Sequence, residues 1–287
     1  MSKTVLITGT STGFGKIIVK TLSEAGFQVI ATMRGSEGRN QGSATELSGL
    51  TNVEVVELDV TDDASVQKAM VYINSKYPKI DVLINNAGVG GVGIAEAYSI
   101  DQFKQMFDVN VFGVMRMYQA VLPSMRSAGA GLVINFSSVN GMFSFPYLVP
   151  YSSSKFALEA INEGMQNELS QFNIDNVSLV IGAHPTEMNN GVKSGLNSDL
   201  EAVTSAYGQL AQDRQNATGD LVGANMHRND LQHLAGQVLK IINMETGTRP
   251  SRVPIDEIAE GTDRAFIEGV KTLKGDWAKK YNIVLKD

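Results

Sequence analysis

The chain has 287 residues, enough to bury a large core and short enough for one α/β domain. Its content of 43% hydrophobic and 19% charged residues is that of an ordinary soluble globule. A formal net charge of −6 argues against nucleic acid or an anionic membrane as the main partner, and the lack of cysteine excludes disulfides, thiolate zinc sites and thiol catalysis.

The opening Val5-Leu6-Ile7 is too short for a signal peptide, and nowhere do about eighteen apolar residues run together as a membrane span requires. The expectation is a cytoplasmic protein with no membrane partner. Short apolar runs rich in Val and Ile at 4–8, 28–32, 53–58, 82–85, 131–136 and 177–181 predict buried strands. Between them, residues 14–25, 62–77, 101–127 and 152–172 predict helices. Strand and helix alternating in this way predict a doubly wound parallel sheet with helices on both faces, in a single domain.

Residues 187–235 break the rhythm with Asn189-Asn190-Gly191, Ser194-Gly195 and Asn216-Ala217-Thr218-Gly219-Asp220. Such turn formers predict an insertion, or short helices joined by turns. It follows the sixth strand at the carboxyl end of the sheet, where ligands bind, so a substrate lid within the domain is expected. Gly247-Thr248-Arg249-Pro250 opens a last stretch with a helix over about 255–269 and a charged tail.

Thr8-Gly9-Thr10-Ser11-Thr12-Gly13-Phe14-Gly15 follows the first strand and opens the first helix. Gly9, Gly13 and Gly15 allow a tight turn and let N–H groups approach a pyrophosphate at the positive helix end, while Ser11 and Thr12 add hydroxyl donors. Asp59 and Val60 follow the third strand, where Asp59 either accepts from an adenine amino group or caps the next helix. Asn85-Asn86-Ala87-Gly88 closes the fourth strand. Its small Ala87 and Gly88 would let a ribose or nicotinamide approach beside Asn86, and the asparagines would equally well tie strands together.

The second strand ends in the neutral Thr32, followed by Met33-Arg34. An acidic residue there would read both ribose hydroxyls. Arg34 instead offers charge and several donors to a 2′-phosphate, with Arg39 near enough to assist, so NADP(H) is the expected cofactor. The alternative is an exposed Arg34 with Glu37 binding the ribose.

Tyr151 and Lys155 lie one helical turn apart at the start of the helix that follows Pro150, and Ser138 ends the fifth strand. Reducing a carbonyl needs a proton donor and a partner for the developing alkoxide. An ammonium beside a phenol favours the phenolate, which gives Lys155 a purpose next to Tyr151. Tyr147 has no lysine four residues on. His184, His227 and His233 lack metal-ligand spacing, so no metal site is expected. Met115, Met117 and Met125 read as packing atoms, and Trp277 anchors the tail or lines an interface. The glycosylation triplets at Asn135, Asn176 and Asn216 read as chance.

On these motifs residues 4–188 resemble the short-chain dehydrogenase/reductase family, in its Thr-Gly-x-x-x-Gly-x-Gly and Tyr-x-x-x-Lys branch. The resemblance implies that Asn110, within Asp108-Val109-Asn110, completes the catalytic set and holds a water linking Lys155 to solvent. It also implies that Thr186 contacts the cofactor carboxamide. Ile181-Gly182-Ala183-His184-Pro185-Thr186 departs from the family in lacking the proline before Gly182. Family members commonly pair through the helices at 101–127 and 152–172, both unusually apolar here, so a homodimer or homotetramer is expected.

The resulting expectation is reversible hydride transfer between NADP(H) and a small-molecule carbonyl or alcohol, with Tyr151 as acid/base. A sugar-nucleotide epimerase would need a Thr-Gly-x-x-Gly-x-x-Gly loop and a larger carboxyl-terminal domain. A catalytically silent scaffold of the same fold would have no use for Asn110, Ser138, Tyr151 and Lys155 together.

Overall fold

Val5, Leu6 and Ile7 are fully buried because β1 (Thr4–Thr8) lies at the centre of a parallel sheet, between β2 (Gln28–Met33) and β4 (Val82–Asn85). The computed structural model describes residues 2–186, 196, 198, 200–283 and 285. These residues form a seven-stranded sheet that adds β3 (Val53–Glu57), β5 (Gly131–Phe136), β6 (Ile174–Ile181) and β7 (Arg252–Ile255). The order is β3-β2-β1-β4-β5-β6-β7, parallel throughout, so the order reverses between β1 and β4. This is the doubly wound sheet expected from the alternating pattern, and its reversal point opens a crevice at the strand carboxyl ends.

Side chains alternate across each strand and feed two cores. Val5, Ile7, Val29 and Ile84 pack with α1 (Gly13–Glu24) and α8 (Leu231–Asn243) through Ile18, Leu22, Leu234 and Val238. On the opposite face Leu6, Ile30 and Leu83 pack with α3 (Asp63–Lys76), α5 (Gly113–Ala128) and α6 (Val149–Ser170) through Val66, Met117 and Leu158. Met117 and Met125 are fully buried, and Met115 packs partly buried against the same core. Asn135 and Asn176 are buried too, which removes both as glycosylation acceptors.

The segment expected as one helix over 101–127 is α4 (Ile100–Phe107), a π-helical turn (Asp108–Phe112) and then α5. A π-turn widens the helix by one residue and is common at functional sites. Asn110 sits in it. The helix expected over 255–269 is displaced: 252–255 is β7, and α9 (Thr262–Lys280) follows. Pro254 fits there because β7 is an edge strand, paired with β6 alone, where a missing N–H costs no ladder bond. Helix α2 (Gln41–Ser48) was not anticipated, its apolar stripe being too short to register.

Of the expected lid, residues 187–195, 197 and 199 lie outside the described residues. α7 (Glu201–Asn225) follows, interrupted at Gly208 by φ 71° and ψ −178°. Residues 231–235 belong to α8, whose Leu234 and Ala235 are buried against the sheet, so the lid boundary at 235 was drawn too far. Trp277 on α9 is 68% exposed, so among the described residues it does not anchor the tail on the core. Among the described residues no helix is long and apolar enough to cross a membrane.

Candidate active site

The glycine loop interlocks with the loop after β4. Gly9 has φ 70°, and a Cβ on it would come within 2.8 Å of Ala87 Cα. A Cβ on Gly15 would overlap Gly9 O, so this glycine serves packing behind the wall rather than contact with a ligand. Asn86 Nδ2 donates to Thr8 O and Gly9 O, each at 2.8 Å, and Thr8 Oγ1 accepts from the N–H groups of Asn86 and Ala87 at 3.1 Å. The asparagine therefore ties the two loops together. Thr12 at the N-cap of α1 makes no side-chain cap bond. The helix end faces the cleft beside Gly9, Ser11, Gly13 and Phe14. A cradle that a Cβ would fill, at an uncapped helix end, fits a pyrophosphate.

The cleft is about 1690 Å³ and runs along the strand carboxyl ends. At one end lie Arg34, Arg39, Asn40, Asp59 and Val60, while Glu37 is not part of its wall. Arg34 Nη1 is 3.8 Å from Asp59 Oδ2. Burial raises the Asp59 carboxyl, but bonds from Thr61 N and Oγ1 and the charge of Arg34 outweigh it and hold it below its ordinary range. Capping of α3 falls to Asp62, which accepts from Ala64 N and Ser65 N. Asp59 is thus left facing the cleft.

At the inner end Ser138, Tyr151 and Lys155 share the wall with Ala87 and Gly88. The Ser138 hydroxyl lies beside the Tyr151 phenol, and Ser138 Oγ accepts from Asn140 N at 3.1 Å. Lys155 is 6% exposed, and its Nζ donates to Phe136 O at 2.7 Å. It also lies 5.7 Å from the centroid of the Tyr151 ring. Burial pushes the lysine down to about 8, against the opposing charge of Glu159. Tyr151 goes the other way: burial raises its phenol, with Ser138 lowering it in part. Desolvation of the phenolate thus outweighs the lowering expected from Lys155.

Asn110 stands one layer behind. Its Oδ1 accepts from Val89 N at 2.9 Å, and its Nδ2 donates to Val89 O at 2.8 Å and Ser154 Oγ at 3.0 Å. The side-chain amide is committed to those partners, which fixes the Gly88-Val89 backbone beside Lys155. Deeper still, Asn85 donates to Asn135, and Asn135 to Tyr118 and Asn162. Tyr118 then donates to Asn176, a chain of buried bonds joining β4, β5, β6, α5 and α6.

The backbone path through the segment that lacks the family's proline is fixed by polar contacts. Gly182 N donates to Ile255 O at 3.0 Å, and a Cβ on Gly182 would overlap the Asp256 carboxylate. Buried Asn229 donates to Ala183 O at 2.7 Å and Asp256 Oδ1 at 3.0 Å, and its own oxygen accepts from Glu257 N at 2.6 Å. His184 Nδ1 lies 3.0 Å from Gly182 O, and its ring meets Phe14 edge-on at 5.2 Å. It is a core histidine. Thr186 is buried at the cleft wall.

The remaining wall is polar along α7, at Thr204, Gln212, Asn216 and Asp220, and elsewhere carries an apolar stretch that escaped the sequence reading. Val92, Phe143, Phe145 and Leu148 line it, with Met226 and Ile258 from beyond β6. Phe143 and Phe145 stack edge-on at 4.8 Å and stay 46% and 36% exposed. Their signal in the sequence was Phe-Ser-Phe in the segment between Ser138 and Tyr151. Asp256 was missed because β7, which delivers it, was missed.

Comparison with known proteins agrees with this fold. The family model described as short chain dehydrogenase matches residues 3–197. The 3-ketodihydrosphingosine reductase of Bacteroides thetaiotaomicron is 40% identical over 204 residues, covering 71% of each chain. A short-chain dehydrogenase from Streptomyces avermitilis has a similar structure, with TM-score 0.78, 29% identity and 98% of both chains covered. A gluconate 5-dehydrogenase from Burkholderia cenocepacia, solved with NADP and tartrate, aligns with TM-score 0.61 at 29% identity, over 66% of this chain and 74% of that one. With the family match over residues 3–197 and the same fold in these relatives, the chain belongs to the short-chain dehydrogenase family of oxidoreductases.

Proposed function

We propose that the protein interconverts an apolar carbonyl compound and its alcohol with NADP(H), using Tyr151 as the general acid/base. The observation that carries this reading is the meeting of Ser138, Tyr151 and Lys155 at the inner end of a cleft whose outer end holds Arg34 and Arg39. The cofactor supplies the hydride when bound. Gly9, Ser11, Thr12, Gly13 and Phe14 hold its pyrophosphate, Asp59 and Val60 its adenine, and Asn86, Ala87, Gly88 and Thr186 its nicotinamide half. Ser138 donates to the carbonyl oxygen while Tyr151 hands over its proton. Lys155, 5.7 Å from the centroid of the Tyr151 ring, is the cation placed to favour the phenolate as the proton leaves. Asn110 supports any relay from Lys155 by holding Val89 in place, since its amide is already engaged.

An apolar substrate is favoured by Phe143, Phe145, Val92 and Leu148 beside the reactive cluster. The Bacteroides relative is named for a ketodihydrosphingosine, which is in keeping. A silent scaffold remains the second reading, but it leaves buried Lys155 without a purpose. Self-association is supported by Ile100, Phe112 and Phe156, which are 69%, 52% and 45% exposed on α4, the π-turn and α6. A cytoplasmic setting accords with the lack of cysteine.

The test is NADPH oxidation over a panel of ketones and aldehydes, including long-chain and polycyclic ones, with Tyr151→Phe as control. Turnover should fall about 10²–10⁴-fold in the variant while NADPH still binds. A wild-type protein inert to the whole panel, or a variant with normal turnover, rejects the proposal.

A further inference from the structure

Glu57 closes the edge strand β3 and pairs in register with Met33 at the end of β2, next to Arg34 of the cleft. It is not part of the cleft wall, and neither are Gly35 and Ser36. Its carboxylate nevertheless receives a fan of donors. Gly35 N donates to Oε1 at 2.6 Å, while Ser36 N and Oγ donate to Oε2 at 2.7 and 2.6 Å. Two successive amides aimed at one carboxylate make a backbone anion nest, filled here by the protein itself.

The nest pins a tight loop. Gly35 takes φ 64°, and its carbonyl accepts from Gly38 N at 3.1 Å and Asn40 N at 2.9 Å. Asn40 Nδ2 returns to Arg34 O at 2.7 Å. Arg39 then folds over Gly35, where a Cβ would stand 3.2 Å from its Cγ. Arg34 and Arg39, five residues apart in sequence, reach the same end of the cleft beside Asp59 as a result. Partial burial pushes the Glu57 carboxyl up, but the bonds from Ser36 and Gly35 outweigh it and keep it ionised at neutral pH.

We propose that Glu57 is a positioning residue for cofactor choice: by filling the Gly35–Ser36 nest it sets Arg34 and Arg39 side by side for a 2′-phosphate. This rests on the NADP(H) reading above. It also runs against simple electrostatics, since an anion behind a phosphate site should repel the phosphate. Positioning and repulsion therefore predict opposite signs on removal of the carboxylate.

The experiment titrates wild type, Glu57→Gln and Glu57→Ala with adenosine 2′,5′-bisphosphate and with adenosine 5′-monophosphate, alongside NADPH kinetics and amide exchange. Glu57→Ala should weaken the bisphosphate at least fivefold and the monophosphate less than twofold. Glu57→Gln, which keeps one acceptor, should fall between. The loss should appear in KM for NADPH rather than in kcat, with faster exchange at the amides of Gly35 and Ser36. Tighter bisphosphate binding in Glu57→Ala, or equal losses for both nucleotides, overturns the proposal. A wild type that binds both nucleotides equally sinks the NADP(H) reading itself. A wild type that prefers the bisphosphate, with Glu57→Ala keeping the full preference, sinks only the role of Glu57.

Discussion

Lys155 gives a hydrogen bond to the backbone oxygen of Phe136 at 2.7 Å, so the ammonium of α6 is held at the carboxyl end of β5, two residues before Ser138. A buried cation on a neutral carbonyl is poorly compensated, and its pKa is accordingly pushed down to about 8.

Two pH effects follow from that depression. The folded-state pKa lies below the unfolded one, so the group's contribution to stability is present above the unfolded value of 10.5 and is lost as pH falls to about 8. The unfolding free energy of wild type should therefore rise relative to Lys155→Met between pH 8 and 10.5, by about 3 kcal/mol across the full window. Parallel curves for the two proteins would refute the depressed pKa. In the reduction direction kcat/KM should bend downward as pH rises through about 8, where the charge is lost.

Arg34→Ala should weaken NADPH binding at least tenfold, about 1.4 kcal/mol, and scarcely change NADH. Arg34 reaches the outer end of the cleft with Asp59 as its nearest carboxylate, and that pairing is half exposed and weak enough to yield to a phosphate. Fluorescence titration with both cofactors measures it, and equal losses would show that Arg34 reads no phosphate.

Asn229→Ala should lower stability by about 1–3 kcal/mol, the cost of stranding buried backbone partners. The same change frees Ala183 O and Glu257 N, so the strand-end segment leading to Thr186 should loosen. KM for NADPH should rise more than kcat falls. Asn229→Asp keeps an acceptor for Glu257 N but loses both donated bonds, and should be no better. Unchanged melting in both variants would remove Asn229 from this account.

Residues 201–228 should exchange amide hydrogens faster than the sheet and slow down when cofactor and substrate bind together. Leu196 N donates to Gly90 O at 2.9 Å, which brings this segment onto the cleft rim, and Gly208 interrupts α7 with φ 71°. Thr204, Gln212, Asn216 and Asp220 face the cleft from α7. Exchange indifferent to both ligands would leave the segment a structural excursion rather than a lid.

Much of the molecule was written locally. Short Val/Ile runs alternating with amphipathic stretches dictate a parallel sheet, because each strand must bury both faces and each crossover must be right-handed. The glycine cradle and the Tyr151–Lys155 spacing were equally legible, since backbone conformation and one helical turn are properties of neighbours in sequence. What lay beyond the sequence was long-range. Nothing near Glu57 in the chain marks it as the clamp of a loop twenty-one residues earlier, because parallel pairing of β2 with β3 makes that contact. β7 was hidden because its Pro254 is tolerated only at a sheet edge, and edge position is decided by which strands pair. The electrostatics of Lys155 and Tyr151 also waited on the fold. Their side chains suggest a cation lowering a phenol, but burial in the tertiary structure pushes both groups toward neutrality, and only the folded chain decides how deep they lie.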